Sequence, residues 1–311
     1  MTRTQSLAKG LAALQTFTGL EAIHAEVKGL RAFAAVQKKR TKLGLPKPHF
    51  RLHMAFRGPP GTGKSEMAWV MAEILYGLGF LHIPSVHCVD RSMLVADHIG
   101  GTARATREQF DRAAGGVLFI DEAYTLVSND RIEDWGREAV DTLMQLMETS
   151  ARPTAVIFAG YTDGIDQLLA SNPGLRSRVG RVLDFIPPSD AQLVGLLRNK
   201  FAAEDEYTVD PAVDALLLRA LPAARARHGR SFGNARWVRE LYRTALIAHA
   251  RRLHPTVRKR TPPDPATLST LTEADLREAL RADGYAPPVG KSPRDTTPRE
   301  TAKVLQWPGR G

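Results

Sequence analysis

The chain has 311 residues, of which 43% are hydrophobic and 24% charged; this composition excludes collagen, a coiled-coil rod and wholesale disorder. Its apolar stretches are far shorter than the roughly 20 residues that a membrane-spanning helix needs, so we expect no membrane insertion. No secretory signal is visible in residues 1–10, and the single cysteine, Cys88, excludes an intrachain disulfide. We therefore expect a cytoplasmic protein in which Cys88 is a small core residue.

The formal net charge of +10 belongs to the two ends of the chain. Residues 1–57 carry a net charge of +9 and residues 251–311 carry +5, whereas the middle of the chain carries −4. Basic ends are compatible with nucleic acid, an acidic partner or a membrane surface, but a solvated helix face without a partner is commoner. Charge alone therefore leaves these interpretations open.

Hydrophobic periodicity predicts two amphipathic helices within residues 11–40, interrupted near Gly19. Five short apolar runs follow and alternate with helical or turn patterns. This alternation predicts a parallel sheet that is covered by helices on both faces. The predicted strands are residues 53–56, 85–89, 117–120, 155–159 and 182–185.

After residue 188 the strand pattern stops, and a small helical domain is predicted. Its helices are residues 190–201, 210–227, 235–253 and 271–280. We expect four segments in the whole chain. They are an N-terminal helical linker at 1–50, an α/β domain at 51–188, a helical domain at 189–283 and a disordered tail at 284–311.

A glycine-rich string lies between the first predicted strand and the next predicted helix. Its residues are Gly58, Pro59, Pro60, Gly61, Thr62, Gly63, Lys64 and Ser65. Glycines allow backbone N–H groups to curl around phosphate oxygens, and the helix N-terminus adds a positive dipole end. In this pattern the lysine reaches the β- and γ-phosphates and the serine hydroxyl binds Mg²⁺. We therefore predict a nucleotide-binding loop, whose contacts include the next residue, Glu66.

Two carboxylates, Asp121 and Glu122, follow the strand predicted at 117–120. Asp121 lies 57 positions after Lys64, which is enough for a helix, a strand and a second helix between them. We expect Asp121 to hold Mg²⁺ through water and Glu122 to polarise the water that attacks the γ-phosphate. The alternative is a pair of solvated turn residues. An acidic residue at position 122 favours hydrolysis over storage of the nucleotide.

Three arginines occur where a nucleotide between the two domains could meet them. Arg176 and Arg178 follow a turn before the last strand, and Arg236 lies at the start of a helix in the second domain. A guanidinium can bind two phosphoryl oxygens at once. Each arginine alone is more often a surface ion pair, but the ordered set of motifs favours a role at phosphate.

Together these motifs resemble the AAA+ ATPases, and within them the CbxX/CfqX-type group. That group includes the red-type Rubisco activase, the EccA component of type VII secretion and stage V sporulation protein K. The resemblance covers about residues 17–283. It rests on the strings His53-Met54-Ala55-Phe56, Ile99-Gly100 with Thr102-Ala103, Gly115-Gly116-Val117-Leu118-Phe119-Ile120-Asp121-Glu122-Ala123-Tyr124, Phe158-Ala159-Gly160-Tyr161 and Asn172-Pro173-Gly174-Leu175-Arg176-Ser177-Arg178.

The resemblance implies an α/β P-loop NTPase fold with a five-stranded parallel sheet in the order 5-1-4-3-2 and a C-terminal all-helical lid. ATP and Mg²⁺ would bind between the two units and against a neighbouring subunit. It further implies that Arg178, rather than Arg176, is the arginine finger and that Arg236 is sensor 2. Gly19 and Leu20 would lie near the adenine. Sensor 1 falls near Tyr161 or Thr162, and the resemblance does not choose between them.

A substrate-gripping pore loop is implied at His98, Ile99 and Gly100. Relatives often have an aromatic residue at the position of His98, so the resemblance implies a weaker or pH-sensitive grip here. Our first hypothesis is a Mg-dependent ATPase that forms a homo-oligomeric ring, a hexamer, and remodels or unfolds a protein client. The alternatives are a nucleic-acid motor or loader, opposed by the acidic middle of the chain, and a nucleotide-gated scaffold, opposed by Glu122.

Overall fold

The computed structural model describes residues 1–17, 19–46, 48, 50–98, 100–127, 135–257 and 263–285. A five-stranded parallel sheet forms the centre of its N-terminal part. The strands are β1 Met54–Arg57, β2 Val86–Val89, β3 Val117–Ile120, β4 Ala155–Gly160 and β5 Arg181–Asp184. Their order is β2-β3-β4-β1-β5, which confirms the order that the resemblance implied. The carboxyl ends of β1 and β3 lie along one edge of the sheet, where parallel α/β sheets bind ligands.

Helices cover both faces of the sheet and form most of the C-terminal part. They are α1 Arg3–Gln15, α2 Glu21–Lys42, α3 Lys64–Leu78, α4 Arg91–Leu94, α5 Gly101–Arg112, α6 Trp135–Thr149, α7 Thr162–Ser171, α8 Pro173–Arg178, α9 Asp190–Leu196, α10 Pro211–His228, α11 Ala235–Val257, α12 Pro265–Leu268 and α13 Glu273–Ala282. A π-helical turn, Leu197–Ala202, continues α9. Strands β3 and β4 are buried along their whole length, as strands covered on both faces should be.

The N-terminal segment, expected as a helical linker, is helical and packs against the sheet domain. Ser6 of α1 donates a hydrogen bond to the buried Glu73 carboxylate of α3. A Cβ added at Gly77 of α3 would lie 2.6 Å from the Cβ of Leu7, so the two helices touch almost backbone to backbone. Side chains of both N-terminal helices, such as Leu14, therefore belong to the same hydrophobic core as β1.

Helix α2 leaves the core after its first half. Its buried residues are Ile23, Val27 and Leu30. No later residue of the helix is buried, although Phe33 stacks on Phe50 with ring centroids 4.4 Å apart. The C-terminal half of this basic helix is therefore a largely exposed surface.

The C-terminal part is built around its own core, which α9, α10, α11 and α13 share. A buried polar group ties α11 to α13. Arg252 of α11 bonds the Asp275 carboxylate at 2.8 and 2.9 Å, and Thr272 bonds the same carboxylate at 2.9 Å. Burial alone would raise the pKa of Asp275, but these bonds outweigh it and hold the pKa below its usual range. These bonds therefore fix the long helix α11 against α13.

Two features depart from the sequence expectations. The helical C-terminal part also contains a pair of two-residue parallel strands, β6 Thr208–Val209 and β7 Thr270–Leu271. Strands of two residues are too short to show the alternation of hydrophobic and polar residues by which a strand is predicted. Cys88, expected in the core, is exposed on β2, which forms one edge of the sheet. The expectation was wrong because an edge strand of this sheet is only partly covered.

Most of the predicted tail, residues 286–311, lies outside the described residues. None of the helices in the described part of the chain has both the length and the apolar character needed to cross a bilayer.

Two glycine-to-alanine changes should have opposite effects on stability, one in an open helix position and one at the contact between α1 and α3. In an open helix position this change adds up to about 1 kcal/mol of stability. Gly29 of α2 has no atom near its would-be Cβ, so Gly29→Ala should stabilise. Gly77→Ala would force α1 away from α3, because backbone atoms of Leu7 lie 2.8 Å from the new Cβ, and should destabilise by about 1–3 kcal/mol. Urea unfolding followed by circular dichroism gives both values; stabilisation by both changes would contradict this packing.

Candidate nucleotide-binding site

The glycine-rich loop connects the end of β1 to the first turn of α3. Gly61 has a φ of +65°, and a Cβ there would lie 1.8 Å from the carbonyl oxygen of Gly233. Only glycine satisfies both the backbone conformation and this approach. The Thr62 hydroxyl donates to the carbonyl of Pro59 at 2.9 Å and closes the loop on itself. The loop is thus a preformed turn with backbone groups at its surface.

Lys64 is the first residue of α3, and its side chain lies across this loop. Its Nζ donates to the carbonyl oxygens of Gly58 at 2.7 Å and Pro59 at 2.8 Å. Burial lowers the pKa of the ammonium, and the negative charges of Glu122 and Asp121 partly offset that effect. These hydrogen bonds of the lysine go to carbonyl groups, so the cation is held in place while its charge remains free to meet an anion.

The two predicted carboxylates extend from the end of β3, as expected. The N–H of Asp121 continues the sheet by donating to the carbonyl of Val89 at 2.9 Å. Glu122 then departs from the strand in a left-handed conformation with φ +47°, and its N–H donates to Oδ1 of Asp121 at 3.1 Å. Its Oε2 is buried and has no hydrogen-bond partner within the described part of the chain. An acceptor in this state is costly, and a water molecule donating to it would relieve the cost.

The first turn of α11 contacts the glycine-rich loop directly. The N–H of Ala235 donates to the carbonyl of Gly61 at 3.1 Å, and the side-chain amide of Asn234 donates to the carbonyl of Pro60 at 2.9 Å. Asn234 is buried with a φ of +45°. Arg236 is exposed, and its positive charge contributes to lowering the pKa of Lys64. The structure therefore brings the predicted sensor 2 residue to the loop.

Glu66, expected to contact the nucleotide, faces the C-terminal helices in this structure. Its carboxylate accepts bonds from Lys200 at 2.8 Å and Arg239 at 3.0 Å. Burial would raise the pKa of Glu66, but the two cations hold it below its ordinary value. The preceding Ser65 is exposed on the same turn. Glu66 thus joins the loop helix to the C-terminal part.

The link between α1 and α2 runs beside the loop. A Cβ at Gly63 would lie 2.8 Å from the Phe17 ring, and a Cβ at Gly19 would lie 3.2 Å from the amide nitrogen of Gln192 in α9. Leu20 is buried. Gly19 and Leu20 therefore lie between the sheet domain and the C-terminal helices. Phe17 was missed by sequence reasoning because a lone phenylalanine between two predicted helices has no distinguishing pattern.

Arg176 and Arg178 lie on α8, and the structure does not bond Arg178 to the glycine-rich loop. Its guanidinium pairs with Glu148 of α6 at 2.6 Å and donates to the carbonyl of Gly174 at 2.9 Å. Arg176 is exposed. Tyr161, between β4 and α7, is 40% exposed, and its ring centroid lies 5.9 Å from that of Tyr124.

The predicted pore loop is only partly described. The side chain of His98 is 72% exposed, with Nδ1 3.2 Å from a carboxylate oxygen of Asp97. Gly100, with φ +77°, precedes α5. Ile99 lies outside the described residues.

The donor set suits Mg²⁺ that binds together with a nucleotide. Within the described ranges, no group of three or more His, Cys, Asp or Glu side chains could hold a metal ion by itself. Ser65 and Asp121 offer a hydroxyl and a carboxylate, both oxygen donors. Mg²⁺ is usually held by one or two such protein groups, and waters and phosphate oxygens complete its coordination.

Comparison with known families agrees with this geometry. Residues 54–186 match the ATPase family associated with various cellular activities (AAA), and residues 189–284 match an AAA lid domain. The chain belongs to the AAA ATPases. The resemblance recognised in the sequence is thus confirmed, and the C-terminal helical part is the AAA lid.

Several curated relatives cover most of the chain. Protein CfxQ of Xanthobacter flavus and protein CbbX of Cereibacter sphaeroides are each 38% identical over 259 residues, which is 83% of this chain and 80% and 82% of theirs. The chloroplastic ribulose bisphosphate carboxylase/oxygenase activase of Cyanidioschyzon merolae is 37% identical over 244 residues, which is 78% of this chain and 82% of the relative. The chain is thus an AAA ATPase similar to the CbxX/CfxQ proteins.

The Glu66 contacts predict how stability depends on pH. A carboxyl whose folded pKa is depressed stabilises the fold above its unfolded pKa, here about 4.5, and that stability is lost as pH falls through the folded value. Glu66→Gln should therefore cost about 0.5–1 kcal/mol at pH 7, because the side chain is 44% exposed, and the difference should vanish towards pH 3. Urea unfolding at pH 7, 5 and 3.5 measures this.

Glu240→Gln is the matched control. Glu240 pairs with Arg243 on the surface of a single helix and is 61% exposed. It should change stability by no more than about 0.5 kcal/mol at any of the three pH values. A Glu66→Gln deficit that persists unchanged at low pH would show that the two cations do not act on an ionised Glu66.

Proposed function

We propose that this AAA ATPase is a Mg-dependent enzyme that assembles into a homo-oligomeric ring, a hexamer, and uses ATP hydrolysis to remodel or unfold a protein client. The observation that carries the proposal is the convergence of Lys64, Asp121, Glu122 and Arg236 around one loop, at the junction of the sheet and the lid. In this proposal residues 51–188 form the catalytic unit and residues 189–283 the lid.

Binding would rest on the loop. The backbone of residues 58–63 would surround the phosphates, and Lys64, already held across the loop, would exchange its carbonyl bonds for the β- and γ-phosphate oxygens. Ser65 and Asp121 would hold Mg²⁺, which supplies charge neutralisation on the phosphates. Gly19 and Leu20 would border the adenine, since their segment lies between the sheet domain and α9.

Hydrolysis would rest on Glu122. Its Oε2, buried and without a hydrogen-bond partner among the described residues, is the acceptor that a water molecule would meet beside the γ-phosphate, and the carboxylate would take the proton as the oxygen attacks. Tyr161 or Thr162 would be sensor 1. Arg236, presented by the first turn of α11, would act on the phosphates from the lid, so lid position and catalysis would change together.

The remaining charge would come from the next subunit. We assign Arg178 as the arginine finger, with Arg176 beside it, because the hydrogen bonds of Arg178 are to Glu148 and Gly174, away from its own glycine-rich loop. In the ring, Arg178 would exchange Glu148 for the γ-phosphate of the neighbour, where a guanidinium binds two oxygens. Hydrolysis would then require assembly.

The client would be a protein. One relative is named as the activase of ribulose bisphosphate carboxylase/oxygenase, so that enzyme is the first client to test. The protein itself would act in the cytoplasm. The exposed His98 and Gly100, with Ile99, would form the pore loop that grips it. The alternative is a nucleic-acid motor or loader, and the exposed basic half of α2 is the feature that would favour it.

Two substitutions separate binding from hydrolysis. Lys64→Ala should abolish ATP binding, since the phosphates lose their main cation, whereas Glu122→Gln should bind ATP normally and lower kcat by about 100-fold or more. Fluorescent-nucleotide titration and phosphate release measure the two effects. Glu108→Gln, which changes an exposed glutamate that pairs with Arg112 on α5, is the control and should leave both unchanged.

The same Glu122→Gln protein tests the client class, because it should hold ATP and client together for longer than the native protein does. Turnover of Glu122→Gln at the native rate would remove Glu122 from catalysis. Several-fold stimulation of the native ATPase by DNA at physiological salt, with none by protein clients, would favour the nucleic-acid motor.

Mixing two inactive variants tests whether Arg178 acts on the nucleotide of a neighbouring subunit. Arg178→Ala should bind ATP but hydrolyse it at least about 1000-fold more slowly, since trans-acting arginines have effects of this size. The Lys64→Ala protein still carries Arg178, so a mixture of the two inactive proteins should recover activity at hybrid interfaces. Failure to recover, together with a native rate per subunit that is independent of protein concentration, would indicate a monomeric ATPase.

A further inference from the structure

Two contacts join the segment around Lys64 to α11 of the lid, and they lie on either side of Arg236. The first is the backbone contact with the glycine-rich loop, in which the N–H of Ala235 donates to the carbonyl of Gly61 at 3.1 Å. A Cβ added at Gly61 would lie 3.1 Å from the backbone nitrogen of Arg236. This contact fixes the backbone position of Arg236 but not, by itself, the direction in which α11 leaves the loop.

The second contact is made by Glu66, which binds one cation on each oxygen of its carboxylate. Oε2 accepts from Nζ of Lys200 at 2.8 Å, and Oε1 accepts from Arg239 at 3.0 Å. Lys200 belongs to the π-helical turn that continues α9, whereas Arg239 belongs to α11. Two lid elements that are distant in sequence thus converge on one side chain of the helix that begins at Lys64.

The lid also holds Arg239 through an aromatic ring. Cζ of Arg239 lies 4.9 Å from the ring centroid of the buried Phe201, which is a cation–π contact. Phe201 follows Lys200 in the π-helical turn, and such turns are rare and frequently occur at functional sites. Arg239 is therefore supported from within the lid, so a carboxylate that binds it also holds α11.

The spacing of the two arginines connects this contact to the nucleotide. Arg236 and Arg239 are three residues apart in α11, so they lie on the same face of the helix. When Glu66 binds Arg239, this face, with the exposed Arg236, is turned towards the segment that carries Lys64. Loss of the carboxylate charge would leave Lys200 and Arg239 to repel each other and would favour movement of the lid away from α3.

We propose that Glu66 is a positioning residue for ATP hydrolysis, which binds Lys200 and Arg239 and thereby turns the Arg236 face of α11 towards the phosphates at Lys64. This inference rests on the proposed role of Arg236 as sensor 2. It gives the two ion pairs a function beyond stability, because they set the orientation of the lid in which Arg236 reaches the nucleotide.

The direct test is Glu66→Gln, which keeps the length of the side chain and removes its charge. We expect kcat/KM for ATP to fall about three- to fivefold, the size of effect that partly exposed ion pairs have on an equilibrium. In the Arg236→Ala background the same change should cause no further loss, because Glu66 acts through that arginine. A role in stability alone would leave kcat/KM unchanged at temperatures where both proteins are folded.

Ionic strength gives a second readout, because salt screens ion pairs between partly exposed side chains. The ratio of the native kcat/KM to that of Glu66→Gln should fall towards one as NaCl is raised from about 0.05 to about 0.5 M. A ratio that does not change with salt would contradict an electrostatic role of Glu66.

Arg239→Gln is the second variant, since it breaks the same contact from the lid side. It should lower kcat/KM about as much as Glu66→Gln does, with little further loss when the two changes are combined. Glu240→Gln is the matched control, because it removes a glutamate charge from α11 whose partner, Arg243, lies on the same helix. This control should leave kcat/KM unchanged.

Native kcat/KM in both Glu66→Gln and Arg239→Gln would overturn the inference, as would a loss of equal size in the Arg236→Ala background. If Arg236→Ala itself hydrolyses ATP with the native kcat/KM, the proposed role of Arg236 fails. If Arg236→Ala is impaired while Glu66→Gln is fully active, only the positioning role fails.

Discussion

The contact between two backbones, at Gly61 of the glycine-rich loop and Gly233 before α11, is the constraint on which the candidate site depends. A methyl group at Gly61 would lie 1.8 Å from the Gly233 carbonyl oxygen, and the N–H of Ala235 bonds the Gly61 carbonyl. Because no side chain separates them, the loop and the lid helix cannot shift independently. Arg236 is one residue beyond this contact, so its distance from Lys64 follows from the backbone contact and not from a flexible tether.

Other contacts act on the same junction from two sides. Glu66, on the turn that carries Lys64, bonds Lys200 and Arg239 of the lid. On the opposite side, α1 packs closely on α3, and Phe17 touches Gly63. The helix that starts at the glycine-rich loop is therefore fastened at its first turn to the lid and in its second half to the N-terminal helix. A shift of this helix would therefore have to be accommodated at both contacts.

The sequence predicts those features of the fold and site that show a characteristic residue spacing or a hydrophobic period. The glycine-lysine-serine pattern and the carboxylates after β3 locate the loop and its acidic partners, and the alternation of apolar runs predicts the parallel sheet. Its strand order came from the family resemblance. Contacts between distant segments leave no such trace: Asn234 on Pro60, Glu148 on Arg178 and the Tyr124 ring against two glycines each join parts of the chain that do not indicate one another in the sequence. Cys88 was misplaced for a related reason, since exposure at a sheet edge is set by the strand order.

The basic N-terminal segment also acquires an explanation within the chain itself. Helix α2 begins with Glu21 and ends with Lys39, Arg40 and Lys42, while its buried residues stop at Leu30. Apart from the stacking of Phe33 on Phe50, this half of the helix has no buried residue to hold it, and cations near a carboxyl terminus interact favourably with the helix macrodipole, by about 0.3–1 kcal/mol each. Part of the positive charge that resembles a nucleic-acid signature therefore keeps this exposed helix from fraying.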